Sequence, residues 1–161
     1  MGYLLVLFAL AAMGLMLAGA GQVWHTSAQR ERETQLLFIG QQFRLALAAY
    51  RDHSPAGMPT APASLDELLT DRRFPVPKAH LRRLWRDPFT NQADWALVRQ
   101  QGRIVALHSR SERAPLRTAF TRRDAAFFGL DSHAQWVFSA AEPRAAAAPA
   151  TPAITAPEAA P

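Results

Sequence analysis

The sequence predicts an α+β fold in which one long N-terminal helix packs on a small antiparallel sheet of about three strands. Three observations support this. Residues 1–29 contain no Asp, Glu, Lys or Arg; an apolar stripe with helical spacing follows them without an intervening proline; and three strand-like segments lie beyond residue 94. A chain of 161 residues is typical of a single domain, and one long helix with a local sheet belongs to the α+β class.

The apolar front, residues 1–27, is predicted to be the transmembrane half of the long helix. A helix needs about 20 apolar residues to cross a bilayer, and residues 3–21 carry no charge. A cleavable secretory signal ending at residues 18–20 and a buried core helix are the alternatives. The residues predicted to serve membrane insertion and assembly are Leu4, Leu5, Leu7, Phe8, Leu10, Leu15 and Leu17.

Residues 28–53 are predicted to be the amphipathic half of the same helix. Residues 30–33 alternate in charge, which suits a solvated turn. Large apolar residues then recur at intervals of three and four, which predicts a stripe that packs on the sheet. The stripe consists of Leu36, Ile39, Phe43, Leu47 and Tyr50. One helix from about residue 3 to residue 51 would be roughly 70 Å long.

Residues 54–139 are predicted to form a small α+β domain, which begins where Pro55 and Gly57 break the helix. Ser64 and Glu67 have the spacing of a capping box and predict a short helix that ends near Arg72. Another helical turn is expected over residues 80–85. Residues 87–91 have the composition of a tight turn.

The strands are predicted at residues 95–99, 103–108 and 136–138, the first two joined by a short hairpin. The segment 109–135 is expected to be a long loop with one helical turn at residues 122–127. Residues 140–161 are mainly Ala, Pro, Thr and Glu, which is a composition typical of a disordered tail.

This order of segments resembles the type IV pilin-like proteins, and most of all the pseudopilins of type II secretion. The resemblance rests on the apolar motif at residues 3–10, on the Pro-x-Ser-Leu-x-x-Leu pattern at residues 62–69, and on the Asp-Pro-Phe-Thr-Asn turn at residues 87–91. It implies a structural fibre subunit, not an enzyme. Family members usually carry a Glu near a methylated mature N-terminus, whereas this sequence has Leu7 or Leu5 there, which implies a specialised or minor subunit or a divergent branch of the family.

The resemblance also implies a location and partners. The subunit would sit in a bacterial inner membrane as a single-pass protein with its C-terminal domain in the periplasm. Its partners would be membrane lipid, copies of itself or other pseudopilins, and the inner-membrane platform of the secretion system.

Composition narrows the chemistry further. The chain has no Cys, which excludes disulfides, thiolate metal ligands and a Cys nucleophile. No phosphate-binding loop, paired-His motif or nucleophile elbow occurs in the sequence, so neither a nucleotide nor catalysis is expected. No cofactor is expected. Some major pseudopilins hold calcium in the region where Asp124 and Asp131 lie here, but two carboxylates are few for a site that needs about 6–8 oxygen ligands. Helix capping or pairing with Arg122 or Arg123 is the favoured role of these two residues.

The chain has a net charge of +5, and its basic residues are most concentrated between Asp71 and Asp87, where no acidic residue lies among them. Such a patch is usually a solvated face. The alternative function is therefore a membrane-tethered periplasmic binding module that uses this patch for DNA or an anionic partner. Nucleic acid is the less expected of these two, because few aromatic residues are interleaved. The patch consists of Arg72, Arg73, Lys78, Arg82, Arg83 and Arg86.

Overall fold

The computed structural model describes residues 2–140, without the side chains of residues 14–23. It has an N-terminal helix and a small antiparallel sheet of three strands, in the order β1-β2-β3, which confirms the predicted α+β class. The helices are α1 (Gly2–Asp52) and α2 (Asp66–Leu69), and the strands are β1 (Ala96–Gln100), β2 (Arg103–His108) and β3 (Phe138–Ser139).

Helix α1 is continuous over 51 residues, or about 76 Å. The prediction of one unbroken helix is confirmed. Its end coincides with the predicted breaker segment, where the Ser54 hydroxyl donates a hydrogen bond to the Tyr50 carbonyl oxygen at 2.8 Å. This bond satisfies one of the carbonyl groups that a helix end leaves without an internal partner.

The C-terminal half of α1 covers one face of the sheet, across β2 and β3. Its predicted stripe lies in the hydrophobic core: Leu36, Ile39, Phe43, Leu47 and Tyr50 are all buried. Gly40 lies on the same face, directly against the ring of Phe138. A Cβ atom at Gly40 would stand only 2.2–2.5 Å from three atoms of that ring. The missing side chain therefore lets β3 approach the helix.

The hairpin between β1 and β2 turns at Gln101 and Gly102, whose φ angles are 50° and 77°. Two positive φ angles fit the tight turns that join twisted antiparallel strands. Strand β1 begins one residue later than predicted, since its pairing with β2 starts at Ala96 opposite His108. Trp95, just before it, is buried and donates its indole N–H to the Trp85 carbonyl oxygen at 2.8 Å. The third strand likewise begins at Phe138 and not at Trp136.

Two local predictions in residues 54–85 are wrong. No side chain caps α2, and the carboxylate of Glu67 bonds instead to the backbone N–H of Ala63 at 3.0 Å and to the Tyr50 hydroxyl at 2.8 Å. Residues 80–85 form no helical turn, because the N–H groups of His80 and Leu81 both donate to the Leu68 carbonyl oxygen.

The long segment before β3 agrees better with its prediction. A six-residue 3-10 helix spans Arg122–Phe127, where one helical turn was expected, and a three-residue 3-10 helix follows at His133–Gln135. Of the predicted tail, residues 141–161 lie outside the described part of the chain.

Candidate functional site on the long helix

The N-terminal end of α1 presents large apolar side chains to solvent. Phe8 is 75% exposed and Leu10 is 61% exposed. The predicted assembly residues with described side chains are all exposed in the same way: Leu4, Leu5, Leu7, Phe8 and Leu10. Leu15 and Leu17 lie in the part of α1 whose side chains are outside the description.

The predicted transmembrane segment is wrong, and with it the location in a bacterial inner membrane with a periplasmic domain. Within the described residues, no helix has an apolar stretch that is long enough to span a bilayer.

Helix α1 enters the folded domain at Gln29 and Glu33. The Gln29 amide donates to the Ala114 carbonyl oxygen at 2.9 Å. Glu33 is buried, and one of its carboxylate oxygens accepts from the Leu116 N–H at 2.7 Å and lies 3.2 Å from His133 Nε2. The expectation of a solvated turn at residues 30–33 is therefore wrong for Glu33. The sequence did indicate the burial of Glu33, because this residue lies three positions before Leu36 and therefore on the same helix face as the buried stripe.

His133 completes this buried junction. Its ring is fully buried and stacks on Phe89, with 4.1 Å between the ring centroids. Burial lowers the pKa of His133 below the ordinary value of 6.5, while the bond to Glu33 acts in the opposite direction. The neutral imidazole is therefore the favoured form near neutral pH, with its Nε2 proton directed at Glu33.

A partly buried ion pair holds the middle of the packed half. Arg44 donates to Asp124 at 2.6 Å, and its guanidinium also lies over the rings of Phe127 and Phe138, at 5.2 and 5.1 Å from their centroids. Asp124 thus bonds to an arginine 80 residues away in the chain. Within residues 2–140, no group of three or more His, Asp or Glu side chains is arranged to hold a metal ion.

Arg73 fixes the C-terminal end of α1. Its guanidinium donates to both carboxylate oxygens of Asp71, to the carbonyl oxygens of Tyr50 and Pro59, and stacks 3.6 Å from the centroid of the Tyr50 ring. The hydrogen bond from Arg73 holds the pKa of Asp71 far below its usual range, and the same bond raises the pKa of Arg73. Burial and the bond to Glu67 raise the pKa of Tyr50 to about 12.

The predicted basic patch therefore divides into two groups. Arg73 is part of the domain's internal structure. The side chain of Lys78 lies over the ring of Phe74 at 4.2 Å, and that of Arg83 over the ring of Trp85 at 3.9 Å. The exposed members of the patch are Arg72, Lys78, Arg82, Arg83 and Arg86.

Comparison of the chain with protein-family models, with curated proteins and with solved structures found no match.

Proposed function

We propose that this chain is a pilin-like structural subunit of a type II secretion or type IV pilus-like fibre, and that it assembles through the exposed half of α1 with copies of itself or with related subunits. The observation that supports this most strongly is the division of α1. The C-terminal half packs in the hydrophobic core through its apolar stripe, whereas the described leucine and phenylalanine side chains at residues 4–10 are exposed.

The distribution of these side chains around the helix favours several neighbours over one. At about 100° per residue, Leu4, Leu7 and Phe8 lie on one side of the helix, and Leu5 and Leu10 extend the apolar surface beyond the two edges of that side, so that the five side chains together span about 220° of the circumference. A helix with so wide an apolar surface is stable only when it is covered on more than one side. Repeated helix–helix contact along a fibre provides such cover.

The energy available is large enough to drive assembly. Full burial of a leucine or phenylalanine side chain contributes about 1.5–3 kcal/mol. Several such residues on each subunit are exposed before assembly, and exposed apolar patches of this size mark interaction surfaces. The folded domain does not use them, because its own core is completed by the second half of α1 and the sheet.

Cysteine cross-linking tests this proposal, because the chain has no cysteine of its own. Leu7→Cys and Leu10→Cys place a thiol on the exposed half of α1, and Glu112→Cys places one on an exposed loop of the domain as the matched control. After removal of the non-ionic detergent that keeps the full chain in solution, a short bis-maleimide should give a ladder of cross-linked species beyond the dimer for the two helix variants. The Glu112→Cys variant should stay mainly monomeric.

Two further measurements distinguish fibre assembly from non-specific aggregation. Negative-stain electron microscopy should show filaments of uniform width, and Phe8→Asp should abolish both the filaments and the ladder. Ladders of equal strength at all three cysteine positions would indicate aggregation. A chain that stays monomeric without detergent would refute the proposal.

A further inference from the structure

A groove runs along the domain between α1 and the loop at residues 83–91. Its floor is apolar and its rim is basic; Phe38, Arg83, Leu84, Trp85, Arg86 and Pro88 are the principal lining residues. Phe38 is 55% exposed, although it belongs to the packed half of α1. Its ring meets the Trp85 ring edge-on, with 5.8 Å between the centroids and 88° between the planes.

The groove carries positive charge that is not compensated within it. Arg83 and Arg86 are exposed, and none of its described lining residues is acidic. The nearby carboxylate of Asp87 is buried and directed inward, where it accepts hydrogen bonds from the Phe89 N–H at 2.8 Å and the Ser109 hydroxyl at 2.5 Å. A ligand in the groove therefore meets two guanidinium groups beside an aromatic surface.

We infer that this groove binds an acidic segment of a partner protein, which inserts an apolar side chain beside Phe38 and Trp85 and places its carboxylates on Arg83 and Arg86. The amide side chains of Gln35 and Asn91 also line the groove and can bond to the backbone of an extended peptide. Arginine forms paired hydrogen bonds with carboxylates, and aromatic anchors with an arginine rim are typical of protein-binding surfaces.

The same geometry disfavours single-stranded nucleic acid. Such ligands stack successive bases on open aromatic faces. Here Arg83 already covers one face of Trp85, at 3.9 Å from the ring centroid, and the described lining residues include no aromatic ring besides Trp85 and Phe38. The inference does not depend on fibre assembly, because the groove lies wholly on the folded domain and on the packed half of α1.

Binding can be measured by fluorescence anisotropy on the full chain. The probe is a labelled ten-residue peptide with one Phe between two pairs of Asp and Glu. It is compared with the same peptide carrying Ser for Phe, with one carrying Asn and Gln for the acids, and with a ten-nucleotide oligothymidylate. The acidic Phe peptide should bind saturably and at least about tenfold more tightly than the other three, and raising the salt should weaken it.

The variants have matched controls on the same molecule. Arg83→Glu with Arg86→Glu should reduce the affinity by at least about tenfold, whereas Arg122→Glu with Arg123→Glu, which makes the same charge change on exposed residues elsewhere, should change it less than about twofold. Phe38→Ser should weaken binding by about fivefold or more. Leu45→Ser should not, although Leu45 is also 55% exposed on α1.

The outcomes are decisive in both directions. Equal losses of affinity from both arginine pairs would show that only net charge matters and would overturn the inference that the groove is the binding site. Tighter binding of the oligothymidylate than of the peptide would assign the surface to nucleic acid and overturn the inference, as would the absence of saturable peptide binding. Circular dichroism of each variant excludes unfolding as the cause.

Discussion

Replacing Gly40 by alanine is expected to destabilise the domain, although alanine is the better helix former. In an exposed helix position the same change would stabilise by about 1 kcal/mol. Here the new methyl group would stand 2.2 Å from Cε1, 2.3 Å from Cδ1 and 2.5 Å from Cζ of Phe138. Ordinary carbon–carbon contacts are about 3.5–4.0 Å, so helix and strand would have to separate by more than about 1 Å.

The magnitude follows from the rigidity of the partner. The Phe138 ring is fully buried and packed against Phe127, with their centroids 5.4 Å apart, so it cannot turn aside freely. Overpacking of this kind costs about 1–3 kcal/mol, and a displacement this large belongs at the upper end. After the helix-propensity gain is subtracted, we expect Gly40→Ala to lower the free energy of unfolding by about 2 kcal/mol, or the Tm by about 10 °C.

Urea and thermal unfolding followed by tryptophan fluorescence measure this directly, since the chain has four Trp. The matched control is a double-mutant cycle with Phe138→Leu, which removes the ring atoms that the methyl group would strike. In that background Gly40→Ala should cost at least about 1 kcal/mol less than in the parent chain. A Gly40→Ala variant more stable than the parent, or equal costs in both backgrounds, would refute the close approach of β3 to α1.

Three further predictions concern the buried polar groups. The pKa of His133 is lower in the folded chain than its ordinary 6.5. The contribution of the neutral His133 to the free energy of unfolding should therefore be complete above about pH 6.5 and should decrease as the pH falls below that value. The non-titrating His133→Gln variant should lose this part of the pH dependence in urea titrations. Arg73→Ala should cost about 3 kcal/mol, since it leaves Asp71 buried without its main partner, and Arg73→Lys should restore only part of it, as denaturation midpoints would show. Asp124→Asn should cost about 1–3 kcal/mol by leaving the Arg44 charge unpaired. Asp94 forms a more exposed ion pair with Arg110 at 3.9 Å, and Asp94→Asn should cost less than about 0.5 kcal/mol; equal costs in thermal scans would contradict the assignment.

Periodic features of the chain could be predicted from the sequence. The helix was evident because apolar residues recur every three or four positions up to Tyr50 without an intervening proline. The stripe on α1 could be predicted because its members recur at intervals of three and four, which places them on one face of a helix. The hairpin could be predicted because Gly102 separates two short apolar runs. In each of these cases the interactions that determine the structure join residues close together in the sequence, so the sequence pattern is enough to predict them.

Features that depend on a distant partner could not be predicted. Asp124 bonds to Arg44 across 80 residues, and nothing in either segment indicates the other. Arg73 resembled its basic neighbours in the sequence, but the structure separates it from them because Asp71 and the end of α1 meet around it. Glu67 has capping-box spacing, yet its carboxylate bonds to the Tyr50 hydroxyl, which lies on another element. Tertiary contacts decided each of these outcomes.

The position of the buried polar groups along α1 bears on how the proposed subunit would carry load. An apolar stripe alone fixes the register of a helix weakly, because a slide of one turn, about 5.4 Å, brings similar side chains back into contact. Glu33 at the entry, Arg44 in the middle and Arg73 at the end make directional bonds that no such slide preserves. Breaking any of them would take a partner from a polar or charged group that is largely withdrawn from water, which is costly. A pull on the exposed half of α1 would therefore be transmitted to the sheet without slippage, and a subunit that is held in a fibre through its helix requires this of its domain.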